Sequence, residues 1–171
     1  MNILGGKLMN SYREYLVVGE FKEDSFLQPG QEVIDIGEIQ PFEPLLFESH
    51  VKFFLDDPKR IFSQEQELRL IFKDGMPFKC FVQNGSHRLY VSNKLGIKKV
   101  VIERVEDLQW DHDFELFFES AMEAYDLGVR SWEQVRVIED LKLLEIFSMQ
   151  NDATGVYDGF SPFHMKQIME Q

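Results

Sequence analysis

An α+β fold is predicted for this 171-residue chain: a twisted, mainly antiparallel sheet with a meander at its centre, packed by two or three C-terminal helices. Three observations predict it. Between residues 65 and 102 the β-branched and aromatic residues gather in short runs closed by turn residues, as strands do. Beyond Asp107 the apolar residues recur instead at helical spacing. The two kinds of run are segregated along the chain rather than alternating, which argues against a doubly wound parallel sheet.

Residues 1–10 show no period and are expected to be a ragged start. Residues 12–21 read as a strand, Gln28-Pro29-Gly30 as a turn, and residues 32–39 as a second strand carrying Val33, Ile34 and Ile36. Pro41 and Pro44 remove backbone donors, so residues 40–46 are expected in a loop or at a sheet edge. Residues 47–55 read as a further strand, stopped by Asp56-Asp57-Pro58. The meander follows, with strands at 65–72, 78–82, 88–91 and 98–102. Asn84-Gly85 supplies the positive-φ pair of a type I′ hairpin between its second and third strands. Asp74-Gly75 and Leu95-Gly96 mark the other two turns.

From Phe114 through Phe117, Phe118, Ala121 and Tyr125 the spacing predicts a helix, capped by Asp111 or Asp113 and stopped at Gly128. Ser131-Trp132-Glu133-Gln134 has the spacing of a capping box and predicts the start of a second helix. Residues 141–147 fit a continuation of that helix better than a late strand. Residues 151–159 read as a loop, and Ser161-Pro162 opens a short terminal helix to residue 169. A single domain is expected over 1–171, mostly strand over 12–105 and mostly helix over 107–170.

Hydrophobic residues make up 44% of the chain and Phe alone accounts for sixteen positions, enough for a core of flat rings between sheet and helices. The one cysteine, Cys80, excludes an intrachain disulfide and shares a strand face with Phe78 and Val82, so it is expected to be buried filling. No window is long and apolar enough for a membrane span and no signal-peptide pattern opens the chain, so a soluble, cytoplasmic protein is expected.

The net charge is −12, which argues against direct binding of nucleic acid by the surface as a whole. The charge is unevenly spread. Residues 65–105 hold eight Lys and Arg against four Asp and Glu, whereas residues 106–150 hold three against twelve. Glu115, Glu119, Glu123 and Asp126 fall on one stripe of the predicted helix, preceded by Asp111 and Asp113. Like charges at i,i+4 cost about 0.2–0.5 kcal/mol each, and no Lys relieves them. The preferred reading is a docking surface for a basic protein partner that the chain engages and blocks, such as a toxin or an enzyme acting on nucleic acid, through charge complementarity. That is the profile of an immunity protein or inhibitor rather than of an enzyme. A regular stripe does not converge on one point, so no metal is expected there. His50, His87, His112 and His164 are scattered without ligand spacing, and no cofactor is expected.

A second reading starts from Glu65-Gln66-Glu67, two glutamates on one face at the head of a strand. This pair resembles the paired-glutamate motif of ADP-ribosyltransferases, as do in order Tyr12-Arg13, Leu27-Gln28-Pro29-Gly30-Gln31-Glu32-Val33 and Ser49. The resemblance spans residues 12–82. It implies an enzyme acting on NAD, with Glu65 and Glu67 as catalytic residues and Arg13 and Ser49 beside them around a concave pocket.

Overall fold

The computed structural model describes residues 29–62, 68–105 and 112–145. Its fold is α+β, with helices packed on mixed sheets. A five-stranded sheet is built from β1 (Gln31–Asp35), β2 (Ile39–Gln40), β4 (Arg69–Phe72), β5 (Cys80–Asn84) and β6 (Lys99–Val105), in the order β1-β6-β4-β5-β2. A separate parallel pair joins β3 (Leu45–Phe47) to β7 (Arg136–Ile138). The helices are α1 (Glu48–Asp56), α2 (Ser86–Lys94) and α3 (His112–Asp126), and residues 140–145 are also helical.

The predicted central meander is corrected by this topology. β4 and β5 form the expected antiparallel pair, with Leu70 opposite Val82 and Phe72 opposite Cys80. The third predicted strand, residues 88–91, is instead the middle of α2, which carries the chain across to β6 so that β6 pairs parallel with β4. β1 closes the far edge antiparallel to β6, and β2 lies parallel to β5 at the other edge. The sheet is therefore mixed, its longer ladders antiparallel and its shorter ones parallel. Asn84-Gly85 is not a hairpin turn. Gly85, at φ 114°, ends β5 and stands at the N-cap of α2. An L side chain rarely adopts that φ, and a Cβ there would also collide with Leu68 Cδ2.

Residues 47–55 are corrected as well. Phe47 closes β3, and Glu48–Asp56 is helical. Residue type favours a strand here, but Val51 and Phe54, three apart, are the two buried positions, and Lys52 pairs with Asp56 one turn on at 2.7 Å. The N–H of Ser49 in the first turn of α1 donates to Asp140 Oδ1 at 3.0 Å, so a side chain from the far end of the chain caps this helix.

α3 follows its predicted course. Ala121 and Ala124 are buried and allow close approach, while Phe117, Phe118 and Tyr125 reach Phe42, Phe81 and Phe78 at ring separations of 5.3, 6.5 and 5.6 Å. Gly128, at φ 87°, terminates it, with Gly128 N–H donating to Tyr125 O and Val129 N–H to Ala124 O. The capping box at Ser131 and Gln134 forms, but it closes only a single 3₁₀ turn before the chain extends into β7. Pairing of β7 with β3 and burial of Trp132 override the local helix signal. The predicted first strand at 12–21, the loop at 151–159 and the terminal helix to residue 169 lie outside the described residues, as does the ragged start.

Cys80 is fully buried, its thiol 3.7 Å from the carbonyl of Glu38, as the strand-face argument anticipates. Among the described residues no helix is long and apolar enough to cross a membrane.

Candidate functional site

A cleft of about 730 Å³ opens where β5 runs into α2. One wall is a continuous piece of chain, residues 83–88: Gln83 and Asn84 at the end of β5, then Gly85, Ser86, His87 and Arg88 at the start of α2. The facing wall is aromatic, with Phe42 from the β2–β3 connection, Phe53 and Phe54 from α1, and Phe117 from α3. Glu43 and His50 complete it.

The polar wall begins at a helix end that no side chain caps. Gly85 brings no side chain to the first turn of α2, so the free amide N–H groups and the positive end of the helix dipole belong to a turn that lines the cleft. Arg88 lies in this turn with only 5% of its surface exposed. Burial pulls its guanidinium down to about 10, which still leaves it charged at neutral pH. Its Nε is shielded from solvent and has no hydrogen-bond partner among the described residues. Gln83 Oε1, on the same wall, is likewise buried without a partner. Orphaned polar atoms of this kind are uncommon in folded proteins, and the donor on the charged guanidinium is the costlier of the two to leave unpaired.

Two titratable neighbours, Glu43 and His87, are shifted by burial toward their uncharged forms. Burial pushes the Glu43 carboxyl up from its ordinary value, opposed in part by a hydrogen bond with the Ser86 side chain. Burial, and then the neighbouring His50, pull His87 down to about 4, so its imidazole is neutral. His87 Nε2 accepts from the Phe47 backbone N–H at 3.2 Å, which leaves Nδ1 to carry the ring proton. The cleft therefore sets one buried cation, Arg88, beside one carboxyl group, Glu43.

The residues singled out from the sequence lie elsewhere. Glu65, Glu67, Arg13 and Asp111 are outside the described residues. Ser49 is exposed at the start of α1, bonded through its N–H to Asp140, and is not among the residues lining the cleft. Asp113 and Glu115 belong to the first turn of α3, where the helix position alone is described. Glu119 and Asp126 are exposed, while Glu123 is half-buried, its carboxyl pushed up by burial and by Glu119. No group of three or more metal-ligating side chains converges among the described residues. The cleft residues were missed because 88–91 passes for a strand. The available signal was a glycine closing an apolar strand, followed directly by Ser-His-Arg.

No protein-family model and no curated protein matches the chain. Among solved structures, that of protein Atu1540 from Agrobacterium tumefaciens is similar at 15% identity and a TM-score of 0.45, over 82% of this chain and 79% of that one.

Proposed function

We propose that the protein binds a small phosphate-bearing molecule of about nucleotide size in this cleft. The observation that carries the reading is Arg88: buried, charged and without a partner for Nε in the first turn of an uncapped helix. A phosphoryl group accepts from both a guanidinium and helix N-terminal amides. The aromatic wall suits a flat or apolar remainder, and the volume is that of an ordinary small-ligand site. The test is a thermal-shift titration with phosphorylated compounds beside their dephosphorylated forms. Phosphorylated members should stabilise the protein, by about 2.7 kcal/mol at a hundredfold excess over Kd, and Arg88→Gln should remove the effect. Equal shifts for both forms would defeat the reading.

A second reading retains the acidic helix as a docking surface for a basic protein partner, in the manner of an immunity protein or inhibitor in the cytoplasm. It is favoured by the exposure of Glu119 and Asp126 and by the strain between Glu119 and Glu123. Under this reading Asp111, Asp113 and Glu115 extend the same surface. The enzymatic alternative, transfer from NAD through Glu65 and Glu67, is tested by including NAD in the titration and measuring nicotinamide release.

A further inference from the structure

The proposed anion cleft contains a carboxyl group at the place where an anion would sit. Glu43 lines the cleft and shares a hydrogen bond with Ser86, the first residue of α2 and two positions before Arg88, at the helix end that Gly85 leaves without a side-chain cap of its own. A fully ionised oxyanion brought to this turn meets a carboxylate with no proton between them, and two like charges in a half-desolvated site repel strongly. A phosphoryl group that still carries one proton does not, because its P–OH donates to the carboxylate while its remaining oxygens accept from Arg88 and the helix amides.

We infer that Glu43 makes this cleft selective for a protonated phosphoryl group over a fully ionised oxyanion such as sulfate. The inference rests on the phosphate-binding reading of the cleft and narrows it to phosphoryl groups that bring a proton, which a monoester does only below its second pKa of about 6. Glu43 is suited to that role by its surroundings. The other titratable or charged groups facing the cleft are His50 from α1 and His87 and Arg88 from α2, with Asp140 close to both histidines. Asp140 accepts from Ser49 N–H at the start of α1 and is absent from the lining. β5 contributes the uncharged Gln83 and Asn84, and α3 contributes Phe117. Glu43 is therefore the one carboxyl group among the described lining residues.

The two probes are inorganic phosphate, which keeps one proton at pH 8, and sulfate, which keeps none from pH 5 to 8. At pH 8 the parent protein should bind phosphate at least tenfold more tightly than sulfate. At pH 5 the gap should close, because Glu43 takes up the proton that sulfate cannot bring. Burial raises the carboxyl from its ordinary value, in the direction of that uptake. Glu43→Gln keeps the size of the side chain and removes the charge. It should raise sulfate affinity at pH 8 to within a few-fold of phosphate and flatten the pH dependence of sulfate binding. Asp74→Asn, an exposed carboxyl outside the cleft, should leave the selectivity at pH 8 intact. Equal binding of the two anions by the parent at pH 8, or full selectivity surviving in Glu43→Gln, overturns the role of Glu43 while leaving the phosphate site standing. Failure of both proteins to bind either anion at any pH overturns the site and, with it, this inference. Circular dichroism of each variant confirms that it is folded before binding is compared.

Discussion

The imidazole rings of His50 and His87 meet edge to face, with centroids 4.8 Å apart. Only one of them is committed to the backbone, since His87 Nε2 accepts from Phe47 N–H. Protonating His87 would break that bond, place a charge in a dry site and set it against its neighbour.

Stability should therefore depend on pH through His87. Its folded value, about 4, lies below the ordinary 6.5, so the unfolded chain binds the proton more readily. The contribution is present in full above pH 6.5 and is lost as pH falls toward 4, about 3 kcal/mol at most by linkage. Glu43 acts in the opposite direction, because its folded value is raised and its contribution is lost as pH rises. Comparison with His87→Gln separates the two. Urea denaturation at pH 7 and pH 4.5 should show the parent losing about 2–3 kcal/mol more than the variant, and equal losses would mean that the buried imidazole is not what titrates.

Gly85→Ala should cost more than an ordinary glycine substitution. The residue must hold φ 114° and its new Cβ must displace the Leu68 side chain, so a loss of about 2–4 kcal/mol is expected. Gly75→Ala is the control: it shares the positive φ, at 82°, but meets nothing within 4 Å, and should cost about 1 kcal/mol. Similar losses at both positions would remove the packing half of the argument.

Phe81 and Phe117 form a graded pair. Phe81 is fully buried in β5, and Phe81→Ala should cost about 3–5 kcal/mol. Phe117 is half-buried, packs on Phe42 at 5.3 Å and lines the cleft, so Phe117→Ala should cost about half as much while weakening ligand binding. Chemical denaturation ranks them; a reversed order would mean that α3 is seated differently on the sheet.

How much of this was legible in the sequence follows from where periods survive. α3 could be read because its apolar residues line one face and Gly128 sits where the backbone turns left-handed. β4 and β5 could be read because both faces of a short apolar run are buried in either strand. α2 could not. Ser86, Arg88, Leu89, Tyr90, Val91 and Ser92 are all buried, so neither a period of 2 nor one of 3.6 shows, and a short run of that kind does not distinguish strand from helix. The cleft was hidden by the same ambiguity, since its polar wall is the start of α2. At Ser131 the opposite happened: a correct capping signal was cut short because β7 gains more by pairing with β3 than a helix would by continuing.

Cys80 should be silent toward an aromatic disulfide reagent in the folded protein and react once the chain is unfolded, since it is fully buried. Rapid stoichiometric labelling under native conditions would mean that the β2 edge opens readily. The same labelling rate, measured in dilute denaturant, reports how much of the sheet must open to expose it.

The bond from Ser49 N–H to Asp140 joins residues 91 positions apart. On the ribosome, α1 therefore emerges long before the carboxylate that caps it, by several seconds at about 5–20 residues per second. Over that interval β3 has no β7 to pair with and His50 and His87 lack the nearby Asp140. A nascent chain stalled before residue 136 should present the aromatic wall without its closing strand, a form suited to capture by chaperones. Because loop closure over this distance must precede the contacts it enables, the cleft is expected to be among the last parts of the molecule to mature.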